Sequence, residues 1–151
     1  PHTSRRELAM DLGATHTIDP TTGNELAEDV RAAIPAGVQY TLDTTGKNSV
    51  ISAAVGALAH QATLGILAAP ATAEDAMLSF DVISLLGLGY RIKGITEGNV
   101  DPAQFIPHMV DLFMDDKFPF DRLVASYPLS DINRAIDEQY QGICIKPVLV
   151  P

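Results

Sequence analysis

The stretch Val38-Gln39-Tyr40-Thr41-Leu42-Asp43-Thr44-Thr45-Gly46 decides the fold. Val38, Tyr40 and Leu42 alternate with Gln39, Thr41 and Asp43, and β-branched or aromatic residues dominate, so the spacing predicts a strand. The strand stops at Thr44-Thr45-Gly46, and a helical pattern opens at Lys47. A second strand of the same kind, Ala62 to Ala69, ends in the small residues Ala68-Ala69-Pro70. Ligands of open α/β sheets lie outside the carboxyl ends of the strands, so these two ends are the first place to look for a site. Small side chains there leave room for something flat. They are equally compatible with two ordinary buried strands and tight turns.

Working outward, Thr3 or Ser4 can cap a helix that runs through Asp11 and stops at Gly13. A short extended piece, Thr15 to Asp19, follows and is ended by Pro20. The next helix carries Leu26, Val30, Ala33 and Ile34 on one face and Glu25, Glu28, Asp29 and Arg31 on the other. Pro35-Ala36-Gly37 breaks it before Val38. Beyond Lys47, Val50, Ile51, Ala54, Val55 and Leu58 form one stripe, and His60-Gln61 turns into the second strand. Helices thus alternate with strands through short joints, which calls for βαβ crossovers and a parallel sheet.

Further on, Phe80 to Leu88 reads as a short helix and Tyr90 to Thr96 as a strand, followed by the turn Glu97-Gly98-Asn99. Asp101-Pro102 is a cap and first position for a helix bearing Phe105, Ile106, Met109, Leu112 and Phe113. Pro107 would distort a helix begun at Pro102, which argues for a later start. Ser130 caps a last helix ended by Gly142, and Ile145 to Val150 closes the chain as a strand.

Composition narrows the function classes. A length of 151 residues fits one domain with a sizeable core. The net charge of −9 disfavours nonspecific nucleic-acid binding and an anionic membrane surface alike. The most apolar run, Met77 to Ile92, is interrupted by Asp81 and Arg91 and falls short of the roughly 20 apolar residues that cross a bilayer. The single cysteine, Cys144, lies between Ile143 and Ile145, which reads as a buried inert thiol and suits a cytoplasmic setting. The chain opens on Pro1-His2-Thr3-Ser4 without an initiator Met and with no targeting segment, as though in mid-protein.

The sequence offers little chemistry of its own. No GxGxxG loop and no GxSxG elbow occur, and Gly87-Leu88-Gly89 reads as a helix end. His2, His16, His60 and His108 are isolated from one another and from Cys144, without metal-ligand spacing. Asp115-Asp116 reads as a solvated corner. From the residues alone the chain is a parallel α/β unit without a complete active site.

The order of its segments resembles a family. ELAMDLGATHTID is similar to the helix and third strand of the nucleotide-binding domain of medium-chain zinc-type alcohol dehydrogenases, and VQYTLDTTG to their fourth strand. LAAP, SFDVISLLGLGYRIKGITEG, FIPHMVDLFMDDKFPFDRLV and YPLSDINRAIDEQYQGICIKPVLV follow in the family's order. FPFDRLV and YPLSDINRAI look most like the aryl- or benzyl-alcohol dehydrogenase branch. The resemblance implies a partial Rossmann-type doubly wound parallel sheet, from its third strand onward, without the first two strands and the glycine loop. Residues 1–116 would be the partial NAD(P)-binding domain, and 117–151 the last Rossmann helix and the return toward the catalytic domain.

Roles implied by the resemblance fall on particular residues. Arg5 corresponds to a basic side chain near the adenosine ribose. Thr44 and Thr45 fall at the strand end lining adenine and ribose, and Leu67, Ala68 and Ala69 where backbone meets the nicotinamide carboxamide. Glu97 faces that same carboxamide, and Lys146 matches a basic position near the pyrophosphate. Arg5 and Lys146 can also be read as ordinary surface cations. The cofactor would be NAD(P), with NAD favoured, and zinc would belong to the intact parent only. The parent would oxidise primary, aromatic alcohols to aldehydes and pair with itself through the segment Tyr90 to Ile95, while the fragment alone would be inactive. No catalytic or metal-ligating residue is expected in this chain. Two other readings stay open: a non-enzymatic self-associating α/β module, and a relative of zinc-independent quinone reductases. In the strand order 3-2-1-4-5-6 the missing strands are the central two. The piece Thr15 to Asp19 would then lack its neighbour.

Overall fold

The computed structural model describes residues 2–21, 23 and 25–151, which form two compact units, Thr3–Asn99 and Val100–Pro151. The first unit is built on a parallel sheet of β1 (Val38–Asp43), β2 (Leu58–Ile66) and β3 (Arg91–Gly94), in that spatial order. Helix α3 (Asn48–Gly56) connects β1 to β2, and α4 (Val82–Leu88) connects β2 to β3. Helices α1 (Thr3–Asp11) and α2 (Leu26–Ala33) precede the sheet. The parallel α/β reading of the sequence is what the chain folds into.

The core lies on one face of the sheet. Leu58, Ala59, Ala62 and Leu64 of β2 pack with Ile51 and Ala54 of α3 and with Tyr90 just ahead of β3. Leu58 and Leu64 are wholly inaccessible, and burial of each such side chain contributes about 1.5–3 kcal/mol. The opposite face carries Tyr40 and Leu42, which stay exposed on a strand whose only ladder partner among the described residues is β2.

Three expectations need correction in this unit. The segment 15–19 forms no strand and joins no ladder among the described residues, where no strand lies beside it to take its backbone groups. Side chains hold it instead: Arg6 pairs with Asp19 at 2.8 Å, and Asp19 also accepts the Thr21 amide and hydroxyl. Leu58 belongs to β2, not to α3, and His60-Gln61 lies within the strand. A step of two residues on β1, from Val38 to Tyr40, faces a step of five on β2, from Leu58 to Thr63. Gln61 takes φ 57° inside that bulge. An apolar residue entering a buried strand continues the helical stripe before it, so periodicity alone cannot place the joint. Finally, α4 begins at Val82, not Phe80, because Asp81 caps it by accepting the Ile83 and Ser84 amides.

The second unit contains α5 (Pro102–Met114) and a βαβ motif of β4 (Val124–Pro128), α6 (Ile132–Tyr140) and β5 (Lys146–Val150). The strands β4 and β5 pair in parallel from Val124↔Lys146 to Pro128↔Val150. Tyr127, Ala135 and Cys144 form the small core between them, so the lone thiol is buried as expected. Helix α5 does start at Pro102, capped by Asp101, and runs through Pro107. The expected later start is wrong; the helix tolerates the loss of one backbone donor and a crowded Ala103 carbonyl. Ser130 does not cap α6. Asp131 holds the cap position, and its carboxylate pairs with Arg134 at 2.6 Å instead.

Candidate functional site at the strand ends

Register sets the site. Asp43, Ile66 and Gly94 are ladder partners across the three parallel strands, so all three carboxyl ends reach the same edge of the sheet. Beyond them the ladder runs one step further: Leu67 donates its amide to the Asp43 carbonyl at 3.0 Å, and Ile95 donates to the Ile66 carbonyl at 2.9 Å. The segments 44–46, 67–69 and 95–97 therefore leave the sheet side by side.

The turn after β1 is organised by Asp43. Its buried carboxylate accepts the Thr45 amide (3.1 Å) and hydroxyl (2.7 Å) on one oxygen and the Gly46 amide (2.9 Å) on the other. Burial pushes the Asp43 carboxyl up, but the Thr45 hydroxyl and the Gly46 and Thr45 amides outweigh it, leaving the group below the ordinary carboxylate value. Gly46 adopts φ 65°, and its Cα faces the Ala69 backbone so closely that a Cβ would lie 2.9 Å from the Ala69 carbonyl carbon. Only glycine combines that conformation with that approach. The turn after β1 is thereby pressed onto the chain leaving β2.

Thr44, Thr45, Leu67 and Ala69 are exposed at this edge, and Ala68 is half-buried. Glu97 is exposed in a 3-10 turn, Glu97–Asn99, at φ 47°, beyond β3. Six of the eight residues named from the sequence thus gather at one edge. Arg5 is exposed on α1, outside the sheet. Lys146 is the first residue of β5, in the second unit.

Two features of this edge were not singled out from the sequence. Asp43 read simply as a polar position of an alternating strand; the signal was an Asp two and three residues before Thr45 and Gly46, the spacing of a side-chain-closed turn. The other is a strap, residues 70–77, tied across the start of α3. Asp75 accepts the Asn48 amide (3.0 Å) and the Thr72 hydroxyl (2.8 Å), and the Asn48 side-chain amide donates to the Met77 carbonyl. These bonds, with the Asn48 amide foremost, hold the Asp75 carboxyl below its ordinary value.

The strand ends suit one flank of a dinucleotide. They offer an exposed edge with small side chains, accessible backbone at 67–69, and hydroxyls at Thr44 and Thr45 for flat rings and sugar edges. None of the six clustered residues is a cation that could meet a diphosphate. Zinc does not fit: among the described residues no three His, Cys, Asp or Glu side chains come together as a metal site. A separate hollow of about 250 Å³ opens on the uncovered sheet face between Tyr40, Leu42, Gly65 and Ile95, away from the turns. Among the described residues no helix is long and apolar enough to cross a membrane.

Comparison with known proteins accounts for this arrangement. The sequence matches the family described as zinc-binding dehydrogenase over residues 1–115. The chain belongs to that family. A geraniol dehydrogenase from Castellaniella defragrans is 40% identical over 150 residues, spanning 99% of this chain and 40% of the relative. An alcohol dehydrogenase zinc-binding domain protein from Burkholderia ambifaria superposes with a TM-score of 0.91 at 41% identity, over 99% of this chain and 40% of that one. The benzyl alcohol dehydrogenase from Acinetobacter calcoaceticus does so with a TM-score of 0.91 at 36% identity, over 98% and 40%. The chain thus spans about two fifths of the length of these relatives. The resemblance to zinc-type alcohol dehydrogenases, and the partial Rossmann-type sheet it implied, both stand.

Proposed function

We propose that this chain forms one flank of the cofactor site of an NAD(P)-dependent alcohol dehydrogenase that oxidises primary, aromatic alcohols to aldehydes, and that the chain by itself does not catalyse. The observation carrying this is the shared edge of three parallel strand ends, locked by Gly46 against Ala69, in a chain similar to a benzyl alcohol dehydrogenase. NAD is favoured over NADP, and zinc belongs to the whole protein only. NAD(P), when bound, supplies the hydride acceptor.

In this reading the protein's own residues bind and orient. Backbone at Leu67, Ala68 and Ala69 hydrogen-bonds a carboxamide, with Glu97 facing the same group. The hydroxyls of Thr44 and Thr45 line the adenosine end, Arg5 lies near its ribose, and Lys146 steadies a phosphate. Residues 1–116 serve as the cofactor-domain part and 117–151 as the return toward a catalytic domain. Self-pairing runs through Tyr90 to Ile95. Its support is that β3 is a sheet edge with all four residues exposed, in a stretch of chain that also exposes the apolar side chains of Met77, Ile83 and Leu86.

The test is an assay of benzyl alcohol oxidation. The chain alone should yield no aldehyde with either nucleotide. A chimera in which it replaces the matching segment of the benzyl alcohol dehydrogenase from Acinetobacter calcoaceticus should oxidise benzyl alcohol with NAD. A chimera that folds and binds NAD yet leaves benzyl alcohol untouched would refute the aromatic reading.

A further inference from the structure

The residue at the start of a helix ordinarily caps it with its own side chain. Helix α3 has Lys47 there, which makes no such bond. Its first helical amide, from Asn48, is instead received by Asp75, 27 residues further along the chain and beyond the end of β2 in sequence. Asp75 is in turn braced by Thr72, whose hydroxyl donates to one carboxylate oxygen and whose oxygen accepts the Asp75 amide at 3.1 Å. The Asn48 side chain adds a second stitch through the Met77 carbonyl and is itself steadied by Ser52.

Between β2 and this strap lie residues 67–69. One side of them is fixed by the Asp43 carbonyl at Leu67 and by Gly46 against Ala69. Their onward path is fixed at the strap. A backbone segment that must present its carbonyl and amide groups to a ligand needs both ends held, because geometric freedom there weakens every bond it makes. The Asp43 carbonyl secures the first end at Leu67, Gly46 packs on the second at Ala69, and the strap fixes the chain that leads on from it.

We propose that Asp75 is a positioning residue for the cofactor flank: by capping α3 from the strap it holds residues 67–69 in the geometry that receives the nicotinamide end of the dinucleotide. The inference rests on the cofactor-flank reading above. Asp75 touches no ligand in this role. It acts through the Asn48 amide and the strap.

The test uses the full chain, unmodified and as Asp75→Ala, Asp75→Asn and Thr72→Val, with two readouts: amide hydrogen exchange without ligand, and NADH affinity from amide shifts at 67–69. Asp75→Ala should speed exchange at Asn48 and Leu67, leave β4 and β5 unchanged, and weaken NADH by about tenfold. Asp75→Asn keeps an oxygen for the Asn48 amide and should recover most of both effects, while Thr72→Val, the milder change should Asp75→Ala not fold, gives an intermediate loss. Unchanged NADH affinity in Asp75→Ala or, if that variant does not fold, in Thr72→Val would overturn the inference and leave the cofactor-flank reading intact. So would an Asp75→Asn variant as weak as Asp75→Ala. If the unmodified chain shows no shifts at 67–69, the cofactor-flank reading itself falls, and the inference with it.

Discussion

Gly46 and Asp43 make opposite demands on the same turn. At Gly46 the demand is steric: φ 65° and the Ala69 backbone against its Cα leave no room for a methyl group. Gly46→Ala should therefore destabilise the chain by about 1–3 kcal/mol, read from urea unfolding. At Asp43 the demand is electrostatic. Its folded carboxyl titrates below the ordinary value of 3.8, so its contribution is fully present above that value and is lost as pH falls through the lower, folded one. Thermal unfolding of the unmodified chain and of Asp43→Asn should differ most above about pH 4 and converge on acidification. A constant gap across that range would show that the carboxylate charge is not what closes the turn. Tyr127 shows the converse effect: its hydroxyl, donating to Glu138, is held well above the ordinary phenol range.

Elements join through side chains as much as through ladders. Arg31, in the last turn of α2, donates to the carbonyls of Gly56 (3.0 Å) and Leu58 (2.9 Å), the joint between α3 and β2, and more weakly to Pro35. A planar fork is needed to reach both carbonyls at once, so Arg31→Lys should destabilise nearly as much as Arg31→Ala, by about 1–3 kcal/mol in urea unfolding. A lysine variant as stable as the parent would show that the fork contributes nothing. This joint is also where the sequence was least legible. The existence of the helices, the strands β1 and β5, and the stop at Gly142 follow from local pattern, since each is marked by its own residues. The start of β2 is marked by nothing local, because Leu58 serves a helical stripe and a buried strand equally well. For the segment 15–19 the pattern of a strand is present while the partner that would make it one is not. Likewise Thr44, Thr45 and residues 67–69 were legible as strand ends. Asp75 was not, because its function depends on a contact 27 residues away.

At the scale of the molecule, exposed apolar side chains lie on one sheet face and on α4. Tyr40 is 82% exposed, and Ile83 and Leu86 of α4 are 80% and 78% exposed. Such patches favour association. Sedimentation velocity should show a mass that rises with concentration, and Ile83→Glu with Leu86→Glu should suppress that rise without loss of helical circular dichroism. Association unchanged by this pair would show that the α4 surface takes no part in self-pairing. The central claim, that the three strand ends form one flank of a dinucleotide site, is tested most directly by titrating NADH into the isotope-labelled chain and following its amide shifts. The account calls for weak binding, about millimolar, with shifts concentrated at 44–46, 67–69 and 97, since none of the six residues gathered at that edge is a cation for the diphosphate. Shifts spread elsewhere, or none at the strand ends at saturating NADH, would contradict it.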